Sequence, residues 1–407
     1  MIGPSASFTA PKRVGKRAVI KGVFTWHTNL AYQVGMPSFA GGSMTVAAPF
    51  DATRSAGLPK VAAYIATIED PACWDAAALQ ARRDSWELTL TDGEADQLRE
   101  AVRVASAATG DWRANPYPGV WLAVTEGLDA FFQRCESSLE GGVGIARLRN
   151  LPVSRDDADL AYNENLLWAI GSRLGRPVNQ MGGGTILAHL RDLRDPRRGR
   201  DTKPEDTNDP LRHHTDGSDL LALMCVRQAV TGGNSFISSS ARTVREIARR
   251  EPELLVPLLE DYFAFDRNEE QPEGEDPFYL TRLCVIIGRS ISTRYSREMI
   301  EGAQTAPGVP MLTARQRRLM DVFDEISAEG GAEVDFTSGD LMVVNNYSVL
   351  HGRSRFHDAD DPAQRRLLLR LWIAMHHARP LPFDWDRGVN TDGLGRGGVP
   401  LKHAGVS

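Results

Sequence analysis

The chain has 407 residues, of which 42% are hydrophobic and 25% are charged, and its formal net charge at pH 7 is −6. A chain of this length can bury a large core, either as one elaborated domain or as one domain with an arm. This composition is typical of a soluble enzyme. It has no basic excess for binding nucleic acid and no apolar run near the roughly 20 residues that span a membrane.

Cysteine usage and the N-terminal segment bear on the location of the protein. The basic segment 12–17 is not followed by the apolar stretch of a secretion signal. The cysteines show no C-x-x-C spacing, which disfavours a zinc ribbon or a disulfide framework and suits a reduced compartment; they are Cys73, Cys135, Cys225 and Cys284. We therefore expect a cytoplasmic protein with no nucleic-acid or membrane partner, and homo-oligomerisation stays open.

Residues 1–70 differ from the rest of the chain. They are rich in Gly, Ser, Ala, Thr and Pro, contain few acids and show no sustained period, so we predict a loosely structured arm. A His-Thr-Asn triplet beginning at His27 imitates a metal-binding motif but has an amide where a carboxylate ligand is needed. The predicted organisation is therefore an arm over 1–70, a globular domain over 71–390 and a tail over 391–407.

The first half of the domain contains helices with recognisable starts. Thr91 and Glu94 have the spacing of a capping box, which opens a helix through about Ala108. Apolar spacing then predicts two further helices with a strand between them: the helix Trp121–Cys135, the strand Gly142–Leu151, and a helix capped by Ser154 and ended by Gly175.

Two irregular segments follow. The glycine run Met181–Thr185 lacks the Gly-Lys-Ser/Thr ending of a phosphate-binding loop, and a flexible turn before a strand is the plainer interpretation. Residues 191–209 are dense in Arg, Asp and Pro. They are either a plain surface loop or a lid that orders on substrate binding.

The second half alternates short strands with helices and shows no internal repeat, a pattern typical of a decorated jelly roll. The predicted elements are strands Leu220–Val226 and Ser235–Ser239 paired around a Gly-Gly turn, helices Ala241–Arg250 and Glu253–Glu260 broken at Pro252, a strand pair within Phe278–Ile287, and a helix capped at Thr313–Gln316 that runs through Glu329.

A His-x-Asp triplet at His214 and Asp216, with a distant His351, is the most informative pattern in the chain. Residues i and i+2 of a strand point to the same side, so the first two side chains can share a metal while His213 lies on the wrong face. Two imidazoles and one carboxylate form the face that holds Fe(II) with open coordination positions. The adjacent histidines at 376 and 377 are expected at the surface.

The C-terminal strands add arginines where a buried strand should not need them. After a turn at Gly339 and an apolar strand, the polar loop leads to His351 at the start of the next strand. Arg366 and Arg370 then share one strand face with Leu368 and Trp372. A buried guanidinium without a partner is costly, and its fork matches a carboxylate, so an inward arginine implies an anion such as a dicarboxylate.

These motifs, taken in order, carry a resemblance to a known family. The motifs occur in the order His214-Thr215-Asp216, Gly232-Gly233-Asn234-Ser235, Gly339-Asp340 with Asn346 and His351-Gly352, and finally Arg366 and Arg370. Together they resemble the motifs of the taurine dioxygenase-like (TauD/TfdA-like) Fe(II)/2-oxoglutarate oxygenases. The resemblance covers roughly residues 72–385. It implies an α+β fold, a distorted double-stranded β-helix (jelly roll) with flanking and inserted helices.

The resemblance also implies residue roles. His214, Asp216 and His351 would ligate Fe(II), with 2-oxoglutarate and O2 as co-substrates. Arg370 would pair with the distal carboxylate of 2-oxoglutarate, Arg366 would lie near its other end, and Ser235 stands where the family usually has a threonine hydroxyl. The Met181–Thr185 loop would border the substrate pocket. Three further residues near the site in sequence are expected to reach the substrate: Asp219, Asn346 and Arg353.

The expected activity is oxidation, chiefly hydroxylation, of a C–H bond in a small molecule, with release of succinate and CO2. Desaturation or cyclisation in specialised metabolism is the alternative outcome. A Zn(II) hydrolase on the same three ligands is a second class, but it does not explain the inward arginines, and the metal content would discriminate. A non-catalytic jelly-roll binding module is a third class. The preferred substrate is amino-acid-like or a specialised metabolite.

Overall fold

The computed structural model describes most of the predicted domain and little beyond it. The predicted tail over 391–407 and the triplet at His27 lie outside the described residues, which are 57–116, 118–181, 184–193, 206–267, 271, 276–376, 378–382 and 385. No helix in these ranges is long and apolar enough to cross a membrane.

Most helices lie in the N-terminal part of the described chain, and the others lie between strands. In chain order the α-helices are α1 (Leu58–Thr67), α2 (Ala76–Ala81), α3 (Arg83–Trp86), α4 (Asp92–Thr109), α5 (Pro118–Val124), α6 (Asp129–Glu140), α7 (Leu160–Leu174), α8 (Ser240–Arg250), α9 (Leu255–Leu259), α10 (Arg297–Ala303) and α11 (Ala314–Gly330).

The strands are short, apart from two long central ones. They are β1 (Glu87–Thr89), β2 (Ile145–Arg149), β3 (Gly175–Val178), β4 (Leu187–Leu190), β5 (Leu211–His214), β6 (Leu220–Arg227), β7 (Thr231–Gly232), β8 (Ser235–Ser239), β9 (Phe263–Asp266), β10 (Phe278–Thr281), β11 (Cys284–Ile287), β12 (Ser290–Thr293), β13 (Ala332–Val334), β14 (Leu341–Asn345), β15 (Val349–Arg353), β16 (Phe356–His357) and β17 (Leu367–Met375).

Two main sheets organise these strands. The larger has the order β1-β2-β14-β6-β17-β3, with β4 also paired to β17, and the smaller has the order β13-β8-β15-β5. The pairings in both are antiparallel except for β1 with β2. Three two-strand ladders, β9 with β10, β11 with β12 and β7 with β16, complete the described strands. The fold class is mixed helix and sheet, as predicted.

The central strands β6 and β17 are apolar except for Arg227 and Arg370, because both of their faces are covered. Alternate residues of β6 and β17 enter two different cores. One core lies against the helices and contains Leu220, Ala222, Met224, Leu369, Leu371 and Ile373. The other contains residues of both sheets, among them Leu221, Leu223, Leu368, Trp372, Ile237 and Val349.

Helix α7 covers the outer face of the larger sheet. At Gly171 a Cβ would lie 2.2 Å from Leu371 Cδ2, so a larger residue there would force the buried Leu371 side chain to move. A third core joins α1, α8 and α11 to the β9–β12 region. Ile65 of α1 is buried there, so the last part of the predicted arm is helical and packed; the arm boundary at residue 70 stays a prediction.

Several local predictions are confirmed. Thr91 with Glu94, and Thr313 with Gln316, form reciprocal capping boxes at the starts of α4 and α11. The chain leaves α8 at Arg250 and resumes in a 3-10 turn at Pro252 before α9, as the proline predicts. Such signals act within one turn of the helix, and the sequence alone therefore reveals them.

Two helix predictions were wrong. The predicted helix Trp121–Cys135 is divided into α5 and α6, because Gly127 between them has φ of +86°, which ends a right-handed helix. Ser154 does not cap α7. Its hydroxyl donates to Asp159, while Asp156 accepts from the Ala158 amide and starts a 3-10 turn ahead of the helix.

Two strand pairings were also wrong. The strands β6 and β8 do not pair around the Gly-Gly turn: β6 lies between β14 and β17 in the larger sheet, while β8 lies between β13 and β15 in the smaller one. The pair within residues 278–287 separates likewise, because β10 pairs with β9 and β11 pairs with β12. Because β6 already pairs with β14 on one side and β17 on the other, it has no free edge for β8.

A charged cluster around the buried Glu164 carboxylate joins α7 to β4 and to the segment after α4. Glu164 accepts hydrogen bonds from His189 Nε2 at 2.7 Å, from Arg113 NH1 at 2.5 Å and from Trp112 Nε1 at 3.2 Å. Burial raises the pKa of this carboxyl, but the bonds from His189 and Arg113 outweigh burial and bring the pKa down to about 2.

Replacing Glu164 by glutamine is expected to lower the free energy of unfolding at pH 7 by about 1–3 kcal/mol. A depressed carboxyl pKa stabilises the fold fully above the unfolded value of 4.5 and loses that effect as the pH falls toward 2. The difference between wild type and Glu164→Gln should therefore shrink when urea unfolding is repeated at pH 3. An equal difference at both pH values would contradict this assignment.

Candidate metal centre

Three side chains converge at two neighbouring strands, and one of them is distant in sequence from the other two. β5 ends at His214, Asp216 follows two residues later, and His351 lies on β15 directly opposite His214 in the antiparallel pair. One ligand atom from each residue lies within 4.8 Å of the other two. The strand pairing therefore brings together the three residues that the sequence selects.

The separations fit one shared ion. His214 Nε2 lies 3.7 Å from Asp216 Oδ1, and His351 Nε2 lies 3.8 Å from Asp216 Oδ2. Two donors each about 2.1 Å from one ion are at most about 4.2 Å apart, so both pairs can meet a common divalent cation. His214 Nδ1 lies 2.8 Å from the Arg212 carbonyl oxygen, which leaves Nε2 for the ion.

Asp216 is held from two sides. Its amide donates to Asn346 Oδ1 at 3.1 Å, and Asn346 Nδ2 donates to the Ser218 carbonyl at 3.0 Å, which fixes the loop around the carboxylate. On the other side, Trp372 Nε1 donates to Asp216 Oδ2 at 2.9 Å. These bonds orient the carboxylate so that Oδ1 stays available beside His214.

The surroundings of His351 and Asp216 keep both side chains in the protonation states that bind a metal ion. Burial lowers the pKa of His351 to about 3, so its imidazole is neutral. Burial raises the pKa of Asp216, but the neighbouring His351, Arg370 and His214 side chains and the Trp372 hydrogen bond outweigh burial and hold that pKa below the ordinary value. A neutral imidazole and an ionised carboxylate are the forms that bind a divalent metal.

Thr215 faces away from the three ligand atoms, as the strand period predicts. Its amide donates to the Tyr295 carbonyl at 2.8 Å, and its hydroxyl accepts from the Tyr295 amide at 3.0 Å. Tyr295 is itself fixed, because its hydroxyl donates to Asp324 Oδ1 on α11 at 2.6 Å. The residue between two of the candidate ligands is thus anchored to the helical layer.

Arg370 lies close to the convergence point. Its Nε donates to Gln180 Oε1 at 2.6 Å, and its guanidinium carbon lies 5.5 Å from the centre of the Trp372 ring. Its positive charge lowers the pKa of both Asp216 and His351. Since Leu368 and Trp372 enter the core between the sheets, the predicted inward face of β17 is confirmed.

Arg366 lies four residues earlier, just before β17 begins. It is 4% exposed, its guanidinium carbon lies 5.0 Å from the centre of the Phe356 ring, and NH1 has no hydrogen-bond partner among the described residues. Burial lowers the pKa of Arg366 to about 10. A buried guanidinium with an unused donor is a site for an anion.

The other sequence-predicted residues have partners inside the protein. Asp219 Oδ2 accepts from the Met375 amide at 2.9 Å, and Arg353 NH2 donates to the Thr207 and Asp209 carbonyls at 2.9 and 2.5 Å. With Asn346 bonded as described above, contact of these three with substrate stays a prediction. Ser235 is buried on β8 opposite Arg353.

Sequence reasoning missed three residues that support the site: Trp372, Gln180 and Phe356. Trp372 could have been found, because it shares the inward strand face with Arg370 and has a donor to satisfy. Gln180 and Phe356 contact the two arginines from segments that are distant in sequence, and no local sequence pattern identifies them.

Replacing Trp372 by phenylalanine is expected to weaken divalent-metal affinity by about 10–100-fold, because the carboxylate ligand loses its orienting donor. Titration with Co(II), followed by its visible absorption, measures this without turnover. Trp168→Phe is the matched control, because Trp168 is a buried tryptophan in the helix-facing core whose Nε1 has no partner among the described residues. Equal affinities for the two variants would refute the positioning role.

The fold and the site together define a class. Two mainly antiparallel sheets flanked by helices, with a largely buried His-Asp-His group beside inward arginines, are features of a non-haem iron oxygenase. A family model described as "Taurine catabolism dioxygenase TauD, TfdA family" matches residues 136–372. The chain belongs to this family. It is a 2-oxoglutarate-dependent non-haem iron dioxygenase, with iron and 2-oxoglutarate as its cofactor and co-substrate.

Individual relatives agree with the family. FR-33289 synthase of Streptomyces rubellomurinus is 29% identical over 307 residues, which are 73% of this chain and 87% of that protein. Asparagine oxygenase in complex with Fe(II), 3-hydroxyasparagine and succinate has a similar fold, with a TM-score of 0.58 at 16% identity over 71% of this chain and 93% of that one. The iron oxygenase OrfP with Fe and α-ketoglutaric acid gives a TM-score of 0.56 at 18% identity, over the same shares of both chains.

Proposed function

We propose that this protein hydroxylates a C–H bond of a small, amino-acid-like molecule, using Fe(II), 2-oxoglutarate and O2 and releasing succinate and CO2. One observation carries the proposal: a His-Asp-His group with a buried His351 and two partly buried ligands lies beside inward arginines. One of these, Arg366, has a buried NH1 with no hydrogen-bond partner among the described residues. The first feature suits iron and the second suits a dicarboxylate.

In this proposal His214, Asp216 and His351 hold the iron, and Trp372 and Asn346 orient the carboxylate ligand. The bound iron, with 2-oxoglutarate and O2, supplies the oxidising chemistry. The protein supplies a dry site, because His351, Arg366, Arg370 and Trp372 are all buried between the sheets. Exclusion of water protects reactive species from side reactions and strengthens each charge interaction in the site.

The two arginines hold opposite ends of the co-substrate, and we infer the reverse of the order that the family resemblance implies. Arg370 donates Nε to Gln180, and its charge acts on Asp216 and His351, so it lies at the iron end. Arg366 has the buried unused NH1, which suits the distal carboxylate. Ser235 lies two residues after Gly233, which abuts the Arg366 side chain, so its hydroxyl can assist there.

The two main sheets are proposed to form the distorted double-stranded β-helix of the family. One core contains inward residues of both sheets, Leu221 and Trp372 from the larger and Ile237 and Val349 from the smaller. His214 and His351 lie on the smaller sheet, with Asp216 two residues beyond β5, and Arg370 lies on the larger sheet, with Arg366 just before β17. A site enclosed between the two sheets is what a jelly roll with an internal pocket provides.

The names of the relatives favour an amino-acid-like substrate, since two of the solved structures contain hydroxylated asparagine or hydroxylated arginine. Desaturation or cyclisation remains the alternative outcome. A zinc hydrolase on the same ligands has no use for Arg366, whose buried NH1 has no hydrogen-bond partner among the described residues. Cytoplasmic location and homo-oligomerisation stay predictions from the sequence.

Anaerobic titration of the Fe(II) protein with 2-oxoglutarate tests the proposal, with a visible charge-transfer band as the expected result. Succinate release is then screened with a panel of amino acids and their derivatives, and the product mass is measured. A gain of one oxygen supports hydroxylation, and a loss of two hydrogens supports desaturation or cyclisation. Absence of the band at saturating Fe(II) and 2-oxoglutarate would refute the proposal.

A further inference from the structure

The ring of Phe356 lies against two guanidinium groups. The Arg366 guanidinium carbon is 5.0 Å from the ring centre and that of Arg353 is 4.8 Å from it. All three side chains are buried. A cation near an aromatic face is attracted by the ring quadrupole, more strongly where water is excluded.

The backbone of Phe356 is fixed on both sides. It pairs with Gly232 in the β7–β16 ladder, its amide donates to the Asn208 carbonyl at 3.2 Å, and its carbonyl accepts from Asn208 Nδ2 at 3.2 Å. The ring is therefore a rigid surface for whatever packs on it.

Gly233 lies next to both the Arg366 side chain and Phe356. Its φ is +77°, and a Cβ there would lie 3.3 Å from both Arg366 Nε and Phe356 Cβ. Backbone and ring thus confine the arginine stem, so that its guanidinium has little freedom to advance or withdraw. A long arginine side chain is otherwise among the most flexible in proteins.

The two arginines on the ring differ in what they do. Arg353 donates NH2 to the Thr207 and Asp209 carbonyls and thereby ties the segment before β5 to the ring. Arg366 NH1 has no such partner in the described part of the chain. Arg366 therefore presents a buried donor to an incoming anion on a confined stem, whereas Arg353 is tied to backbone carbonyls through NH2.

We propose that Phe356 and Gly233 form a rigid seat that fixes the reach of the Arg366 guanidinium and so selects a five-carbon 2-oxo diacid over shorter and longer ones. This inference rests on the proposed function, because it needs Arg366 to bind the distal carboxylate. A four-carbon diacid held at the iron would stop short of a fixed guanidinium, and a six-carbon diacid would collide with it. When a preorganised side chain becomes mobile, binding must immobilise it again, and the affinity for the ligand falls.

The experiment compares wild type with Phe356→Leu and Phe356→Met. Anaerobic absorption titration of each Fe(II) protein gives the Kd for 2-oxoglutarate, oxaloacetate and 2-oxoadipate. We expect the variants to bind 2-oxoglutarate about tenfold more weakly and to lose most of the discrimination among the three acids. Co(II) affinity should stay near wild type, because metal binding does not depend on the seat.

Phe132→Leu is the matched control: Phe132 is a buried phenylalanine in the helix-facing core, with the Arg173 guanidinium 5.9 Å from its ring centre. The Phe132→Leu variant should lower the free energy of unfolding by a similar amount and leave the Kd for 2-oxoglutarate unchanged. If wild type binds 2-oxoglutarate selectively and the Phe356 variants keep the same Kd and selectivity, the seat is refuted while the proposed function stands. If wild type binds none of the three acids, the proposed function fails first.

Discussion

Replacing His214 by alanine is expected to reduce succinate formation by more than about 100-fold, a greater loss than that of an outer-shell partner. His214 supplies one of three protein donors, and its Nε2 lies 3.7 Å from Asp216 Oδ1. With two donors left, the iron is held weakly and its open positions are no longer on one face. Co(II) absorption and the 2-oxoglutarate charge-transfer band should both be lost, which separates a binding defect from a catalytic one.

His213→Ala is the matched control, because it removes the neighbouring imidazole on the opposite strand face. The His213 ring packs near Phe236, with 6.5 Å between ring centres, and burial lowers its pKa to about 4. We expect this variant to lose some stability and to keep metal affinity and the charge-transfer band. The assignment of ligands would be wrong if His213→Ala lost the band and His214→Ala kept it.

The candidate ligands were predictable because part of their geometry is local. The separation of His214 from Asp216 follows from the period of a strand, even though the strand itself ends at His214. His351 came from the order of motifs rather than from any spacing rule, since it meets His214 only through the pairing of β15 with β5. Arg366 and Arg370 stood out as charges in an apolar run.

The remainder of the architecture depends on long-range hydrogen bonds that no window of sequence contains. The strand β6 looked like a hairpin partner for β8, yet its apolar residues on both faces suit a central position between β14 and β17. Gln180 and Phe356 contact the arginines from segments that are far away in the chain. Their roles follow from topology, so their identities alone could not reveal them.

Arg366→Met is expected to raise the concentration of 2-oxoglutarate needed for half-maximal turnover by at least about 30-fold, the equivalent of about 2 kcal/mol, because a buried charge-assisted contact is lost. Methionine keeps much of the stem volume while removing the donors, so Phe356 and Gly233 stay covered. The KM for the primary substrate should change little. Steady-state kinetics at varied 2-oxoglutarate, together with anaerobic titration, measure the effect.

Two further variants decide the order of the arginines. Arg353→Met removes the second buried guanidinium that lies against the Phe356 ring, and this guanidinium donates to backbone carbonyls. We therefore expect this variant to lower the free energy of unfolding and to change the Kd for 2-oxoglutarate little. Arg370→Met removes a charge that acts on Asp216 and His351, so it should weaken metal and co-substrate binding together. If Arg370→Met instead raised only the 2-oxoglutarate requirement while Arg366→Met left it unchanged, the distal carboxylate would belong to Arg370, as the family resemblance implies. A fixed Arg366 would then need another anion to satisfy its buried NH1.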